Sequence, residues 1–310
     1  MINLIAVLSL SFAVALFAKM FPDTVTPILE RGDGRVGTYV SLPSGFSTSS
    51  YWIEGPEGLI LIDTQFLLSA GDEAVEWAEK VTGKKVKLAI VLHPNPDKFN
   101  GTLKLKARGI PVVTSLQVKK LIPAVHADRH HWFYERFKPD YPNEVPLPDS
   151  FGEATREITA AGVTLKAHVL GVGCSEAHVA VEFDGHLFTG DLVTNLNHAW
   201  LELGQIDEWL ERLHEMEALD VEFVHPGRGP SGGVELLVRQ RSYLEKVRTL
   251  VKAKKTTLPV NDRAIAELKK EIEKTYVGYG NAFFLTVGLP AVWGKMAIAK
   301  KKRKTPSMSR

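Results

Sequence analysis

The stretch Leu92–Gly101 reads LHPNPDKFNG and follows the apolar run Val86–Val91, VKLAIV. A buried strand therefore ends where His93, Asn95, Asp97 and Lys98 begin. The pattern H-x-H-x-D-H at a strand end builds metal sites, because imidazole and carboxylate lone pairs converge from one short loop. Here His93 and Asp97 keep the pattern, while Asn95 and Lys98 stand where the second and third histidines would be. The stretch is a metal centre, an altered one, or the remains of one.

The flanking sequence alternates strand and helix signals. Gly34 to Ile62 is strand-rich, with Thr38–Leu42, Ser49–Glu54 and Leu59–Ile62 as strands and Gly55–Gly58 as a turn. Ala70–Thr82 has helical spacing, Thr102–Arg108 is a helix closed by Gly109, and Ile110–Thr114 is the next strand. This βαβαβ order predicts a sheet covered by helices. From Lys119 to Phe151 the chain is aromatic and rich in proline, at 139, 142, 146 and 148, and is expected to be an irregular insertion or lid. Strands follow at Val163–Leu170, His178–Phe183 and Leu187–Thr189, then a helix over Asp207–Leu219 capped by Asp207. A short strand at Phe223–Val224, a long helix over Val234–Ala253 and a helix over Asp262–Tyr276 complete the pattern.

Four loops after predicted strands carry polar residues that could converge: Asp63, His93–Lys98, Cys174–His178 and Asp191, with the turn Pro226–Pro230 beside them. Loops at strand ends are where open α/β sheets put their chemistry. In this order the chain resembles the metallo-β-lactamase fold superfamily, from about Ser49 to Ala253. GLILIDT (58–64) is similar to the family's strand ending in LIDTG, and HPNPDKFNG sits at H-x-H-x-D-H-x-x-G. KARGIPVVTS (106–115), GVGCSEAH (171–178), LFTGD (187–191) and VHPGRGP (224–230) match the later landmarks in sequence. The fold this resemblance implies is an α/β sandwich of the αββα type, two mixed sheets face to face with helices outside.

The family's ligands carry over only in part. The resemblance implies two metals held by five histidines and two aspartates; this chain keeps His93, Asp97 and Asp191. Asn95 and Lys98 replace two histidines, Cys174 replaces the loop histidine, and Arg228 replaces the histidine of the last loop. Thiolate and imidazole suit zinc and a neutral amide does not, so the first pocket is weakened. Protonated Lys98 and Arg228 have no lone pair to give, so the second pocket reads as a salt-bridged cluster with Asp97 and Asp191. Expected cofactors are none or one zinc, held if at all by His93, Cys174 and Asp191, with Asp97 as an optional further ligand. Asp63 and His178 complete the cleft, with His178 expected to pack into the strand it begins. Cys174 is read either as a buried small hydrophobe, the commoner fate of a lone cysteine, or, beside Lys98 or Arg228, as a thiol of lowered pKa. His126, His130, His131 and His198 are further candidates for the cleft wall.

Three functions follow. The first is a non-catalytic or atypical member that binds a small molecule or partner in the old cleft. The second is a hydrolase of the ester, lactone, thioester or lactam class using one metal at His93, Cys174 and Asp191, with Asp97 assisting and water activated as the resemblance implies. The third is a metal-free enzyme with Cys174 as nucleophile and His93 or His178 as base.

Composition sets the outer bounds. The chain has 310 residues, 45% hydrophobic and 24% charged, with formal net charge +2, so no nucleic-acid partner is expected. Residues 1–18 contain an apolar run from Leu4 to Ala18, shorter than the ~20 residues a spanning helix needs, and read as a signal peptide or an anchor. Export to a periplasm, or anchoring with membrane contact through this segment, is expected, with a cytoplasmic protein as the alternative. Residues 19–255 are assigned to the main domain, with the insertion at about 119–151, and 256–310 to a C-terminal helical extension with the basic tail KKKRK.

Overall fold

Strands rich in valine, isoleucine and leucine with little polar alternation are strands buried on both faces. The computed structural model describes residues 28–29, 34–254 and 257–304. The signal peptide or anchor expected over residues 1–18 lies outside them. Strands Ile28–Leu29 (β1), Val36–Val40 (β2), Ser49–Gly55 (β3) and Gly58–Ile62 (β4) run antiparallel in succession. Helix Leu68–Thr82 (α1) crosses to Val86–Ile90 (β5), which joins β4 in parallel. Two short helices, Pro96–Phe99 (α2) and Thr102–Ala107 (α3), lead to Val112–Ser115 (β6), and helix Leu116–Phe137 (α4) leads to Asp149–Gly152 (β7). Both strands add in parallel, making a mixed seven-stranded sheet in sequential order.

The second sheet begins with Arg156–Ala160 (β8), Val163–Leu170 (β9), His178–Phe183 (β10) and His186–Thr194 (β11), each antiparallel to the last. Helix Ile206–Glu217 (α5) crosses to Phe223–Arg228 (β12), parallel to β11, and Gly232–Gly233 (β13) closes the edge. Helices Glu235–Ala253 (α6), Asp262–Thr275 (α7) and Phe283–Lys304 (α8) follow.

Period-two alternation on the central strands explains the layers. On β10, Val179 and Val181 join the core shared with Ile53, Leu61 and Ile90 of the first sheet, whereas Ala180 faces the other way. On β11, Phe188 points into that inter-sheet core; Leu187 packs with Trp209 of α5, Leu244 of α6 and Leu289 of α8. A helix layer covers the second sheet, and α1 packs on the first. The αββα sandwich expected from the motifs is the fold observed.

Several local expectations are corrected. The segment 119–151 is not irregular throughout: α4 continues to Phe137, because the four prolines that forbid regular structure all lie beyond its end. Pro123 alone is tolerated inside it. The cap of α5 is Gln205 rather than Asp207, which instead sits in the first turn and pairs with Arg248 at 2.5 Å. Strand β12 extends through Pro226 to Arg228, carrying Arg228 onto the sheet itself. The aromatic stretch after Tyr276 forms α8, a helix that the sequence pattern did not single out.

Candidate functional site

Four chain segments converge at one end of the sandwich, and their backbone geometry is specific. Asp63 ends β4 in the left-handed region (φ 61°), as does Gln65 (φ 76°), a sparsely populated conformation for residues other than glycine. The Asp63 carboxylate accepts the Leu92 backbone N–H at 2.9 Å, tying the end of β4 to the loop after β5. That loop turns at Pro96 into α2, which sets Asp97 and Lys98 side by side. Asp191 lies on β11 and Arg228 on β12. The strands meet closely here: a Cβ on Gly227 would fall 2.0 Å from Oδ1 of Asp191, so only glycine fits.

Asp97, Lys98, Asp191 and Arg228 form one buried charge cluster. The Arg228 guanidinium pairs with both carboxylates, with Asp97 Oδ2 at 2.7 Å and also with Asp191. Lys98 Nζ lies 3.0 Å from Asp191 Oδ1 and 3.2 Å from Asp97 Oδ2. The side chain of Lys98 is fully enclosed, at 0% exposure. Arg228 also donates from Nε to the Phe46 carbonyl at 3.2 Å, and Thr48 Oγ1 donates to Asp97 Oδ2 at 3.1 Å. Opposite unit charges 4 Å apart attract by about 4 kcal/mol at an effective dielectric of ~20, against several kcal/mol of desolvation per ion. Only multiple contacts per ion offset that cost, and each member here has at least two.

The protonation states follow from the contacts. Burial favours neutral Asp97 and Asp191, yet the adjoining Lys98 and Arg228 outweigh it and hold both carboxyls below the usual range. Burial likewise opposes the charge on Lys98 and Arg228, but their carboxylate partners hold both above their ordinary values. Asp63, 4.0 Å from Lys98, is different: burial pushes it up to about 8, so it keeps its proton at neutral pH. The cluster is thus two carboxylates balanced by two cations.

A second group lies alongside. His93, Cys174 and His178 are fully buried and present ligand atoms within 4.8 Å of one another. Cys174 Sγ is 3.7 Å from His178 Nε2, which accepts the Ser175 backbone N–H at 3.1 Å. His93 Nδ1 is 3.2 Å from Ser175 Oγ, and its Nε2 accepts the Asp191 backbone N–H at 3.4 Å. Burial lowers His93 to about 4 and His178 well below its usual range, so both rings are neutral. Of the two readings of Cys174 the buried one holds: burial, helped by Asp191, keeps its thiol well above the ordinary value, and Lys98 and Arg228 only oppose that. His178 does begin β10, but its ring faces this group rather than merely packing into the strand. Asp191, expected as the third ligand, is committed to Arg228 and Lys98.

Above the charge cluster opens a cleft of about 550 Å³, counting the space at its mouth. Asn95, Asp97, Asp191 and Arg228 form its floor. Aromatic rings make the walls: Phe46 and Phe66 from the loops, Trp132 and Phe133 from α4, Trp200, and Phe283 and Phe284 from α8. Arg129 of α4 lines it between Trp132 and Trp200, paired with Glu202. The candidate histidines are not among the lining residues and read as packing: His130 stacks on Tyr134, His198 hydrogen-bonds Tyr243 at 3.0 Å, and His126 is buried within α4. The aromatic stretch around Trp132 signalled this wall; Trp200 and the Phe283–Phe284 pair carry no motif and were missed.

A mixed αββα sandwich with its polar loops gathered at one sheet end defines a metallo-hydrolase class of fold. The profile of the metallo-beta-lactamase superfamily matches residues 43–228, and the chain belongs to that superfamily. Among solved structures it is similar to a metallo-beta-lactamase from Pontibacter korlensis (22% identity, TM-score 0.58, covering 71% of this chain and 99% of that one). It is also similar to the DIM-1 metallo-beta-lactamase (18%, 0.57, 72% and 99%). A third is FIM-1 from Pseudomonas aeruginosa in its mono-zinc form (16%, 0.55, 73% and 97%). No curated protein matches the chain.

The donor set decides how far the family's metals fit. The second position does not fit: Lys98 Nζ and the Arg228 guanidinium lie against the two carboxylates that would bind it. At the first position Asn95 caps α2 without a side-chain bond and lines the cleft. Donors for a single metal exist only as His93, Cys174 and His178 among the described residues.

Proposed function

We propose that this chain uses the cleft of its fold to bind a small molecule, without the two-metal hydrolysis of its superfamily. The observation that carries this reading is the seating of Lys98 and Arg228 against Asp97 and Asp191. Two monovalent cations supply the +2 charge of one divalent ion, so the carboxylates are neutralised without a metal. The back-substituted variant tests it. Asn95→His, Lys98→His, Cys174→His and Arg228→His together return neutral donors around His93, Asp97 and Asp191. That variant should acquire zinc and gain thermal stability from it, since a ligand bound only by the folded state stabilises by mass action. A folded fourfold variant that takes up no more zinc than the wild type would count against the reading.

A second reading is favoured by the three-donor group. One metal held by His93, Cys174 and His178 would serve a hydrolase of the ester, lactone, thioester or lactam class, supplying Lewis acidity when bound. Neutral rings at His93 and His178 suit ligation. On this reading Cys174→Ala alone releases the metal.

For location, we propose export or anchoring through residues 1–18, from the apolar run alone. Among the described residues no helix is long and apolar enough to cross a membrane. An intact mass of native protein that retains Met1 would oppose cleavage.

A further inference from the structure

We infer that the cleft takes an uncharged, mainly aromatic molecule bearing one hydrogen-bonding group, and that Asn95 receives that group; this rests on the small-molecule reading of the cleft. The walls supply the first half. Phe284 packs edge-to-face on Trp200 with centroids 4.9 Å apart, and Phe46 meets Phe66 in the same manner at 4.8 Å. Offset and edge-on ring surfaces of this kind favour a planar apolar guest. The same rings line a cleft that is open to solvent at its mouth.

The electrostatics supply the second half. Both guanidinium groups in the cleft are already neutralised. Arg228 is paired with Asp97 and Asp191, bonded through Nε to the Phe46 carbonyl, and covered by the Phe284 ring at 5.2 Å. Arg129 is paired with Glu202 and with Asp128 at 2.6 Å, and lies over the Trp132 ring at 4.2 Å. The floor carboxylates Asp97 and Asp191 are each paired with Arg228 and Lys98. An anionic ligand would have to break one of these pairs, and a cationic one would meet no free carboxylate among the described lining residues. Burying an unpaired charge there carries a large penalty.

Asn95 is the exception on the floor. It is half-buried, lines the cleft, and stands in the capping position of α2 without a side-chain bond to it. Its amide therefore offers one acceptor and two donors to a guest. The residue that replaces a family histidine becomes the polar contact of a different kind of site. The Phe283–Phe284 wall lies outside the matched segment 43–228, so this ring pair is a feature of the chain's own C-terminal helix.

The test uses a matched pair of probes, naphthalene-2-carboxamide and 2-naphthoate, titrated at neutral pH into the full chain and followed by calorimetry. The carboxamide should bind one to one and at least about ten-fold more tightly than the carboxylate. Asn95→Leu, which removes no hydrogen bond of the folded chain, should weaken the carboxamide about ten-fold and erase the preference. Phe284→Ala should weaken both probes. Equal or tighter binding of 2-naphthoate overturns the inference, as does no binding of either probe, or binding that neither variant alters. Zinc in the same preparation separates the two levels: two tightly held metals defeat the metal-free cleft itself, whereas metal-poor protein that prefers the carboxylate defeats only the ligand class.

Discussion

At the residue scale, Arg228 carries most of the substitution's consequences. It contacts Asp97, Asp191 and the Phe46 carbonyl while almost wholly buried. Removing one partner of a buried ion pair typically costs about 3–5 kcal/mol, because the other charge is stranded. Arg228→Ala should therefore lose stability of that order by chemical denaturation; a loss below about 1 kcal/mol would mean the cluster is not cohesive. The pH dependence has a definite sign. His93 has its proton affinity lowered from the ordinary 6.5 to about 4, so between those values the unfolded chain binds a proton the folded chain refuses. Stability should fall as pH falls from 6.5 to 4, and His93→Gln should flatten that limb. Asp63 is the reverse case: raised to about 8, it keeps in the folded state a proton that the unfolded chain sheds above about 4. Asp63→Asn should gain on the wild type as pH rises from 4 to 8, and parallel curves would refute the assignment.

At the element scale, the walls of the cleft depend on how α4 and α8 are docked. Helix α8 is held against the loop after β11 by a close approach at Gly204, which has φ +63° and where a Cβ would lie 2.6 Å from the Ala291 backbone. A left-handed non-glycine residue costs of order 1–3 kcal/mol before any clash. Gly204→Ala should destabilise the protein by at least that much in thermal or denaturant unfolding, and an unchanged midpoint would show that α8 docks loosely there. Sequence legibility also divides by element. Strand β4 was readable because double burial leaves an unbroken apolar run, and β5 and β10 because apolar residues dominate them despite Lys87 and Glu182. Strands β7 and β8 were not, since their residues are half-exposed and carry no such run. Helix α4 was hidden by prolines just beyond its end, and α8 by its mixture of aromatic and small residues.

At the scale of the whole molecule, the order of landmarks made the sandwich legible while the site was legible only in its floor. Asp63, Asp97, Lys98, Asp191 and Arg228 were identifiable because each sits in a motif next to or within a strand. Their pairing into one cluster required only opposite charges at neighbouring positions. The three-donor group was half visible: Cys174 lies in a motif, but the turn that brings His178 back to it is a matter of backbone path. Which of the two readings of Cys174 holds was not legible, because burial, invisible in sequence, outweighs its cationic neighbours. Taken together, the scaffold is that of the metallo-beta-lactamase superfamily, with Lys98 and Arg228 seated against Asp97 and Asp191. The most direct test is elemental analysis of the wild-type chain, expressed with added zinc and dialysed before measurement. The account predicts far less than one equivalent of zinc per chain; two tightly bound metals per chain would contradict it.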